Sequence, residues 1–595
     1  MRSFWFFKAF DFFVGKDISM NHFRSPQLSI ALSCLAAGAL LVSCSTLPGG
    51  GVTPAQLTAA QGASLRACGV IGARFEFPNT QIDSAEPVLA AAVTLNGIPV
   101  AQHCLVKGQM FKRKGIDGQD YAIGFEMRLP LDWNGRFFHQ VNGGIDGVVQ
   151  PAYGPNTNSR GALAQGFAVI SSDAGHTGRQ NPKFGDDPVA RTDYGYGAVG
   201  KLTPMAKAMI AMAYGRTPDR SYIGGCSNGG RHAMVAASRY GDQYDGYLVG
   251  APGYRLPNAA LAQLWAAPRW NALATPGATV NHPFAPTVKI PDLGSAFTAQ
   301  ERQTVASAIL GKCDALDGAV DGMVQDVKAC QAAFNLQSDV PTCAGNTRNG
   351  QCLTPEQKSL VSQVFAGGKT PSGQLIYSSF PWDTGVATPN WATWKFVNSQ
   401  ALDPAAGNIF MSPSRNIAGL STIDLDEGFK ALSATVAPFT ESADTVITPP
   451  GKEDPRNLAG LRARGAKMLI YHGVSDAIFS AHDTADWYQR LDRAQGAKAA
   501  DFARYFPVPG MSHCSGGPST DRFDGLSALV KWVEQGEAPA QLFASARGPG
   551  NTAGANPDVP KEWSPTRTRP LCPFPKVARY NGSGDVEDAG NFSCK

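Results

Sequence analysis

The sequence predicts an α/β fold, and the pattern around Ser227 is the first of two observations that predict it. Gly-x-Ser-x-Gly at 225–229 places this serine between two glycines. Residues 220–224 have the composition of a short strand, and residues 231–238 are good helix formers. A strand, a sharp turn and a helix in this order form a nucleophile elbow, in which the tight turn leaves room only for glycine. A glycine-rich turn without function is the alternative.

The second observation is that an aspartate and a histidine follow two later apolar strands. Residues 467–472 are predicted to form a strand that leads to Asp476, and residues 503–509 a strand that leads to His513 in a glycine-flanked loop. The chain order of serine, acid and histidine is that of an α/β-hydrolase. The sequence therefore predicts Ser227 as the nucleophile, His513 as the general base and Asp476 as the acid that orients the imidazole.

Other histidines are alternatives to His513. His472 lies on a predicted strand, where a structural role is favoured, and His482 lies at the start of a predicted helix. The histidines of glycine-rich or elbow regions, which could line the site, are His139, His176 and His232. His513 is preferred because it lies in a loop at the end of a strand.

An oxyanion hole needs two N–H donors directed at the developing negative charge. Asn228, the residue after the nucleophile, supplies one of them. The other normally belongs to a loop that follows an early strand, and residues 135–140 are predicted to form such a strand before the glycine-rich segment 141–147. Gly144 in that segment is the predicted second donor.

The chain has 595 residues, enough for several domains or for an enzyme core with one large insertion. The distance in sequence between Ser227 and Asp476 is far too long for a single βα unit, which favours the insertion. The formal net charge is only +4 and no dense basic patch is present, so the sequence argues against nucleic acid as a partner.

The N-terminal segment, residues 1–44, is predicted to be a signal peptide. Its apolar run at 28–41 is too short for a membrane span. The segment ends like a bacterial lipobox, which predicts lipidation of Cys44, with ordinary cleavage nearby as the alternative. Met20 is an alternative start to Met1. The sequence thus predicts an exported protein, either an outer-membrane lipoprotein or a periplasmic or secreted one.

Of the 12 cysteines, Cys34 and Cys44 belong to the signal, which leaves an even number in the rest of the chain. Such usage supports an oxidising compartment. The sequence alone leaves the connectivity open, but pairing of neighbours suggests Cys68–Cys104, Cys313–Cys330, Cys343–Cys352 and Cys572–Cys594. The two left over, Cys226 and Cys514, each adjoin a predicted catalytic residue. They are either close enough for a bridge or two unrelated thiols.

An acidic loop in the middle of the chain predicts a cation site. Asp314, Asp317 and Asp321 lie within eight residues, spaced by glycines that allow tight turns. An oxygen-rich set suits a hard cation such as Ca²⁺, although the spacing is not that of an EF-hand. The backbone carbonyls of Ala319 and Met323 could complete the shell. A polar surface loop is the alternative, and a structural role is favoured over a catalytic one because the loop lies far in sequence from the predicted triad.

Four of these segments together resemble the tannase and feruloyl esterase family. They are residues 225–230, 313–322, 471–477 and 509–517, and the resemblance extends from about Cys68 to Cys594. It implies an α/β-hydrolase core with a large inserted lid domain. It also implies hydrolysis, through an acyl-enzyme, of esters of aromatic acids of the feruloyl, galloyl or terephthaloyl monoester type. Alternatives of other classes are a non-catalytic hydrolase-like binding protein and a peptidase.

The resemblance also assigns residues. It implies Ser227, Asp476 and His513 as the triad, a Cys226–Cys514 bridge, and structural calcium bound by the acidic loop through the residues named above. The implied lid covers 253–466 and divides the core into 45–252 and 467–595. Phe479 matches a hydrolase of this family and is expected to contact an aromatic acyl group, with core packing as the alternative.

Overall fold

The computed structural model of the protein describes residues 57–154, 160–345, 347–417, 419–420, 423–449 and 458–595. These residues belong to one compact unit. The predicted signal peptide and Cys44 lie outside the described residues, so lipidation and the start residue stay predictions. Within the described part of the chain, no helix is long and apolar enough to cross a membrane.

A nine-stranded mixed sheet forms the centre of the fold. Its strands are β1 (Thr80–Val88), β2 (His103–Lys114), β3 (Asp120–Pro130), β4 (Arg136–Gln140), β5 (Ala168–Ser172), β6 (Arg220–Cys226), β7 (Gly246–Gly250), β8 (Lys467–Gly473) and β9 (Ala503–Val508). The spatial order is β9-β8-β7-β6-β4-β5-β3-β2-β1. The strands from β9 to β5 in this order run parallel, and β3, β2 and β1 extend the sheet antiparallel.

Short strands form small antiparallel sheets outside this centre. Their bounds are Ala63–Ser64 with Asp132–Trp133, Thr94–Leu95 with Ile98–Pro99, Thr279–His282 with Ala285–Pro291, Arg522–Phe523 with Leu542–Ser545 and Thr568–Leu571, and Ala578–Tyr580 with Phe592–Cys594.

Helices cover both faces of the central sheet. The longer ones are α1 (Ala198–Tyr214), α2 (Asn228–Arg239), α3 (Leu256–Leu273), α4 (Ala299–Cys313), α5 (Pro355–Ala366), α6 (Leu425–Ser433), α7 (Ala481–Ala494) and α8 (Gly525–Gln535). The short ones are Cys68–Arg74, Pro188–Thr192, Val327–Ala333, Leu336–Asp339, Pro389–Ala392, Ser399–Ala401, Ala406–Ile409, Ala443–Ile447 and Ala459–Arg464. Two π-helical turns occur at Asp193–Gly197 and Thr393–Asn398.

The side chains of β6 show how the layers are held. Tyr222 and Ile223 point to opposite faces of the strand, as alternation requires, and both are buried. Ile223 packs in the hydrophobic cluster that includes α1, α2 and α7, whereas Tyr222 packs in the cluster that includes α8. The parallel strands are therefore buried on both faces, as an α/β fold requires.

The predicted strands that carry the site are confirmed as β4, β6, β8 and β9, and the predicted helix after Ser227 is confirmed as α2. Parallel strands present their carboxyl ends at one edge of the sheet, where α/β proteins bind ligands. The segments that follow these four strands consequently meet at this edge.

The range predicted as the lid, 253–466, lies between β7 and β8, and we call it the insert. It contains α3, α4, α5 and α6, which pack around fully buried side chains such as that of Trp270. This hydrophobic cluster continues into Ile478 and Phe479, which follow β8. The insert therefore packs directly on the loop that carries Asp476.

Candidate active site

Ser227 occupies the turn between β6 and α2 in a backbone conformation that is rare for a residue with a side chain. Its φ and ψ are 68° and −126°, a strained combination of the kind that clusters at functional sites. Gly225 and Gly229 allow this turn, because a Cβ at either position would lie 2.1 or 2.4 Å from the carbonyl oxygen of Val141. The local sequence therefore forms the elbow that the motif predicts.

The structure brings Ser227, His513 and Asp476 together. The Ser227 hydroxyl lies 2.8 Å from Nε2 of His513, and Nδ1 of His513 lies 2.6 Å from Oδ2 of Asp476. Asp476 and His513 are buried. A serine, an imidazole and a carboxylate in this chain of hydrogen bonds can transfer the hydroxyl proton to the imidazole and stabilise the imidazolium that forms.

Asp476 is held as a carboxylate by its surroundings. Its Oδ1 accepts hydrogen bonds of 2.9 Å from the backbone N–H groups of Ile478 and Phe479. Burial alone would raise the pKa of Asp476, but the charge of His513 and the hydrogen bonds from His472 and His513 outweigh it and lower the pKa below its usual range. His472 lies on β8, as predicted, and its Nε2–H donates to the carbonyl of Phe479 at 3.0 Å.

Cys226 and Cys514 form a disulfide bond with a Cα–Cα distance of 6.0 Å. The bond joins the elbow to the histidine loop. The four pairs of neighbours suggested by the sequence are also bonded, namely Cys68–Cys104, Cys313–Cys330, Cys343–Cys352 and Cys572–Cys594. The predicted disulfide framework is therefore confirmed.

The glycine-rich segment after β4 lies beside Ser227. A Cβ on Gly143 would lie 3.6 Å from Cβ of Ser227. Gly144 follows with a φ of 67°, and its carbonyl accepts a 3.5 Å hydrogen bond from the Tyr194 hydroxyl. Asn228 opens α2, where the first backbone N–H groups have no acceptor within the helix. The two predicted oxyanion donors thus lie on segments that flank Ser227.

A buried polar cluster, which sequence reasoning missed, connects these two segments. The Asn228 side chain donates to Oδ2 of Asp146 at 2.7 Å, and Nε2 of His232 lies 3.0 Å from the same oxygen. Arg231 donates to Oδ1 of Asn228 at 2.6 Å. Burial raises the pKa of Asp146 and lowers that of His232. The sequence offered the histidine as a neighbour of the site, but no pattern paired it with Asp146.

The other two histidines expected near the site differ in their positions. Nε2 of His176 donates to the carbonyl of Ile145 at 2.9 Å and so supports the glycine-rich segment. His139 lies on β4 and is fully buried in the core. Its Nδ1 lies 2.9 Å from the Tyr244 hydroxyl. His482, at the start of α7, contacts the Ser379 hydroxyl at 3.1 Å.

Two aromatic rings contact the imidazole of His513 edge to face. The centroid of Phe479 lies 5.4 Å from that of His513, and the centroid of Trp394 lies 4.9 Å from it. Gly253 faces Phe479 so closely that a Cβ there would lie 2.4 Å from the ring. Phe479 is a predicted site residue, whereas Trp394 lies on the π-helical turn of the insert, which no sequence signal directs toward His513.

The predicted calcium loop is folded around its own carboxylates. Oδ1 of Asp314 accepts backbone hydrogen bonds of 3.0 Å from Asp321 and Gly322, and Oδ1 of Asp317 accepts one of 3.1 Å from Ala319. Oδ2 of Asp317 is buried without a hydrogen-bond partner. Burial and the neighbouring carboxylates raise the pKa of Asp317 to about 6.

This loop fits a hard cation in its chemistry, because a buried carboxylate oxygen without a partner and repelling carboxylates are both relieved by positive charge. Part of that charge comes from Arg569, which forms an ion pair with Asp321. In the ranges that the structure describes, no three acidic, histidine or cysteine side chains are clustered as metal ligands. Ligation by Asp314, Asp317 and Asp321 with the Ala319 and Met323 carbonyls stays a prediction.

Comparison with known proteins connects this chain to a family. The model of the family described as tannase and feruloyl esterase matches residues 104–595. Mono(2-hydroxyethyl) terephthalate hydrolase of Piscinibacter sakaiensis is 38% identical over 554 residues, which cover 85% of this chain and 87% of that protein. A probable feruloyl esterase B-1 of Neosartorya fischeri is 27% identical over 499 residues, 79% of this chain and 82% of that protein.

A solved structure resembles the fold over a similar extent. Feruloyl esterase B from Aspergillus oryzae superimposes with a TM-score of 0.69 at 23% identity and covers 89% of this chain and 99% of that one. At this level of identity, the similarity concerns the fold.

Proposed function

This chain belongs to the tannase and feruloyl esterase family, and on that premise we propose that it is a serine esterase that cleaves esters of aromatic carboxylic acids through an acyl-enzyme. The observation that carries the proposal is the chain of hydrogen bonds from Ser227 through His513 to Asp476, with distances of 2.8 and 2.6 Å. An intact triad argues against a non-catalytic binding protein on the same fold.

The geometry supports a two-step reaction. Oγ of Ser227 attacks the ester carbonyl while Nε2 of His513 takes the hydroxyl proton. The negative charge that develops on the carbonyl oxygen is stabilised by the backbone N–H groups of Asn228 and Gly144. Collapse of this intermediate expels the alcohol, which receives the proton from His513. Asp476 remains a carboxylate throughout and stabilises the imidazolium.

The second step releases the acid. Water attacks the acyl group on Ser227 while His513 acts again as the base, and the returning proton regenerates the serine hydroxyl. Nε2 of His513 therefore gives a proton to the alcohol in the first step and takes one from water in the second. This requires His513 to keep one orientation, and its hydrogen bond to Asp476 provides that orientation.

An aromatic acyl group is proposed because of the rings beside the catalytic histidine. Phe479 and Trp394 provide apolar edges and faces next to His513, against which a planar acid can pack. Two relatives, a mono(2-hydroxyethyl) terephthalate hydrolase and a probable feruloyl esterase, add terephthaloyl and feruloyl esters as the substrates to examine first. Terephthalate monoesters and tannase-type galloyl esters are the narrower alternatives within the proposal.

We also propose a structural calcium ion at the acidic loop, a lid function for the insert, and export. Calcium would be held by Asp314, Asp317 and Asp321 with two backbone carbonyls, and would fix the loop without contact with the triad. Five disulfide bonds support an oxidising compartment. Anchoring in the outer membrane through Cys44 is proposed from the sequence.

A substrate panel with Ser227→Ala tests the proposal. We expect the wild type to hydrolyse at least one of methyl ferulate, methyl gallate and mono(2-hydroxyethyl) terephthalate, and Ser227→Ala to lose all measurable activity. Ser359→Ala, a change of an exposed serine in the insert, serves as the control with unchanged rates. Mass spectrometry of the wild type during turnover should show the added mass of the acyl group. Equal rates for wild type and Ser227→Ala would exclude Ser227 as nucleophile.

A further inference from the structure

Asp383, a residue of the insert, contacts both loops that carry the acid and the base. Its Oδ1 accepts a 2.5 Å hydrogen bond from the hydroxyl of Ser475, the residue before Asp476. Its Oδ2 accepts a 3.3 Å hydrogen bond from the backbone N–H of Gly510, three residues before His513. One carboxylate therefore bridges the two loops.

The contact is tightly packed and buried. The Gly385 N–H donates to Oγ of Ser475 at 3.0 Å, and a Cβ on Gly385 would lie 2.3 Å from that side chain. The Thr388 and Ser512 hydroxyls lie 3.4 Å apart, which adds a second contact between the insert and the histidine loop. Asp383 is 2% exposed. A buried carboxylate is tolerated only when its oxygens are hydrogen-bonded, and these donors meet that need.

We propose that Asp383 is a positioning residue of the active site, through which the insert holds the acid loop and the histidine loop in register. The inference rests on the proposed function. Asp476 and His513 follow the neighbouring strands β8 and β9, and their loops are joined by a direct backbone hydrogen bond of 3.0 Å from Ser475 to Met511. The 2.6 Å hydrogen bond between Asp476 and His513 depends on the alignment of these loops, which the side chain of Asp383 bridges a second time. The disulfide of Cys514 secures the histidine loop to the serine elbow, and Asp383 reinforces the link of the histidine loop to the acid loop.

This assignment gives the insert a role that does not depend on substrate size. A segment that only covered the substrate would affect large esters and leave small ones unchanged. A segment that aligns acid and base affects the chemical step for every ester, because misplacement of a catalytic group by about 1 Å can lower a rate by about 100-fold.

The test compares three single variants and one double variant with a matched control, on p-nitrophenyl acetate and methyl ferulate. We expect Asp383→Ala to lower kcat about 10- to 100-fold on both esters with little change in KM. Asp383→Asn keeps an acceptor for Ser475 but turns a donor toward Gly510, so an intermediate loss is expected. Ser475→Ala should resemble Asp383→Ala, and the double variant should be no worse than either, because either change breaks the same bridge between the two loops.

The control is Glu301→Gln. Glu301 is also a buried carboxylate of the insert, but its partners are Thr298, Arg348 and Gln357, all within the insert. It should lose thermal stability and keep kcat. In Asp383→Ala, by contrast, the acid limb of the kcat/KM profile should move to lower pH, because a misaligned Asp476 favours the imidazolium less.

A folded Asp383→Ala or Ser475→Ala with the kcat and pH profile of the wild type would overturn the assignment. So would losses on methyl ferulate alone, which would indicate a lid role only. If Asp383→Ala fails to fold, the kcat and the pH profile of the milder variant Ser475→Ala decide whether the assignment holds. Failure of the proposed function is distinguished by Ser227→Ala, which would then retain activity regardless of the result at Asp383.

Discussion

The disulfide between Cys226 and Cys514 joins the residue before Ser227 to the residue after His513. The two loops follow β6 and β9, and two strands, β7 and β8, lie between these strands in the sheet. With a strand spacing of about 4.8 Å, the histidine loop must extend about 14 Å across the sheet edge to reach the serine. The disulfide holds it there, with a positive φ of 66° at Cys514.

Loss of this disulfide is expected to lower both activity and stability. Cys226→Ala/Cys514→Ala should lower kcat, because no covalent link then ties the His513 loop to the serine elbow, and should cost about 2–5 kcal/mol in the free energy of unfolding. Activity assays and thermal melts provide the measurement. Cys343→Ala/Cys352→Ala, which opens a disulfide with a sequence separation of 9 in the insert, is the control. Full activity and an unchanged Tm in the first variant would contradict the expectation.

Asp146→Ala is expected to impair the oxyanion hole without preventing binding. Asp146 connects the segment of Gly144 to the side chain of Asn228, so its removal should displace both donors and lower kcat about 10- to 100-fold at nearly constant KM. Steady-state kinetics on one aromatic ester measures the effect. Asp187→Asn, at a buried carboxylate that pairs with Arg113, should keep kcat. The same kcat in Asp146→Ala as in the wild type would refute a role in positioning the donors.

Phe479→Ala is expected to reduce the preference for aromatic acyl groups. The ring packs edge to face against His513, where a planar acyl group would contact it, so kcat/KM for methyl ferulate should fall about 10-fold more than for p-nitrophenyl acetate. Phe574→Ala, at a ring that packs against Tyr505, is the control. A parallel decrease on both esters would indicate that Phe479 only fills the core.

Lys395 makes the stability depend on pH in a predictable direction. Its Nζ lies 3.9 Å from the centroid of the Phe380 ring, and burial lowers the pKa of Lys395 to about 7. In the unfolded chain the pKa of lysine is about 10.4. Between these values the unfolded state binds more protons, so this group makes the free energy of unfolding rise with pH. Below pH 7 the full cost of burying the charge is present.

The variant Lys395→Met removes this cost. We expect it to be more stable than the wild type at pH 7, and the difference to shrink by about 2 kcal/mol at pH 9. Urea unfolding of both proteins at the two pH values measures it, with the exposed Lys561→Met as control. If the difference in free energy of unfolding between Lys395→Met and the wild type stays constant or grows from pH 7 to pH 9, burial of Lys395 does not cause the pH dependence.

Calcium removal is expected to lower Tm more than kcat. A cation at the acidic loop would relieve the buried oxygen of Asp317, so chelation by EGTA should lower the Tm of the wild type and calcium should restore it. Asp317→Asn should show a smaller response because one ligand charge is absent. An identical Tm with EGTA and with calcium would argue against a calcium site.

Local patterns in the sequence were sufficient to predict the fold class and the three residues of the hydrogen-bonded triad. The elbow of Ser227 depends on glycines within two residues of it, and Asp476 and His513 are each recognisable from the strand that precedes them. Short apolar runs and tight-turn glycines are short-range signals, because they reflect the backbone geometry of a few residues. Four of the five disulfide bonds also followed from pairing of neighbours in the chain.

The sequence by itself therefore determined which serine, histidine and aspartate the fold brings together, and their order in the chain. Only the tertiary structure decided what holds them: the bridge of Asp383 to Ser475 and Gly510, the link from Asp146 to Asn228, and the packing of Trp394 on His513. The physical reason is that these contacts join residues far apart in the chain, whose proximity depends on how the insert packs on the sheet edge. The helix, strand and turn propensities of short segments do not predict that packing.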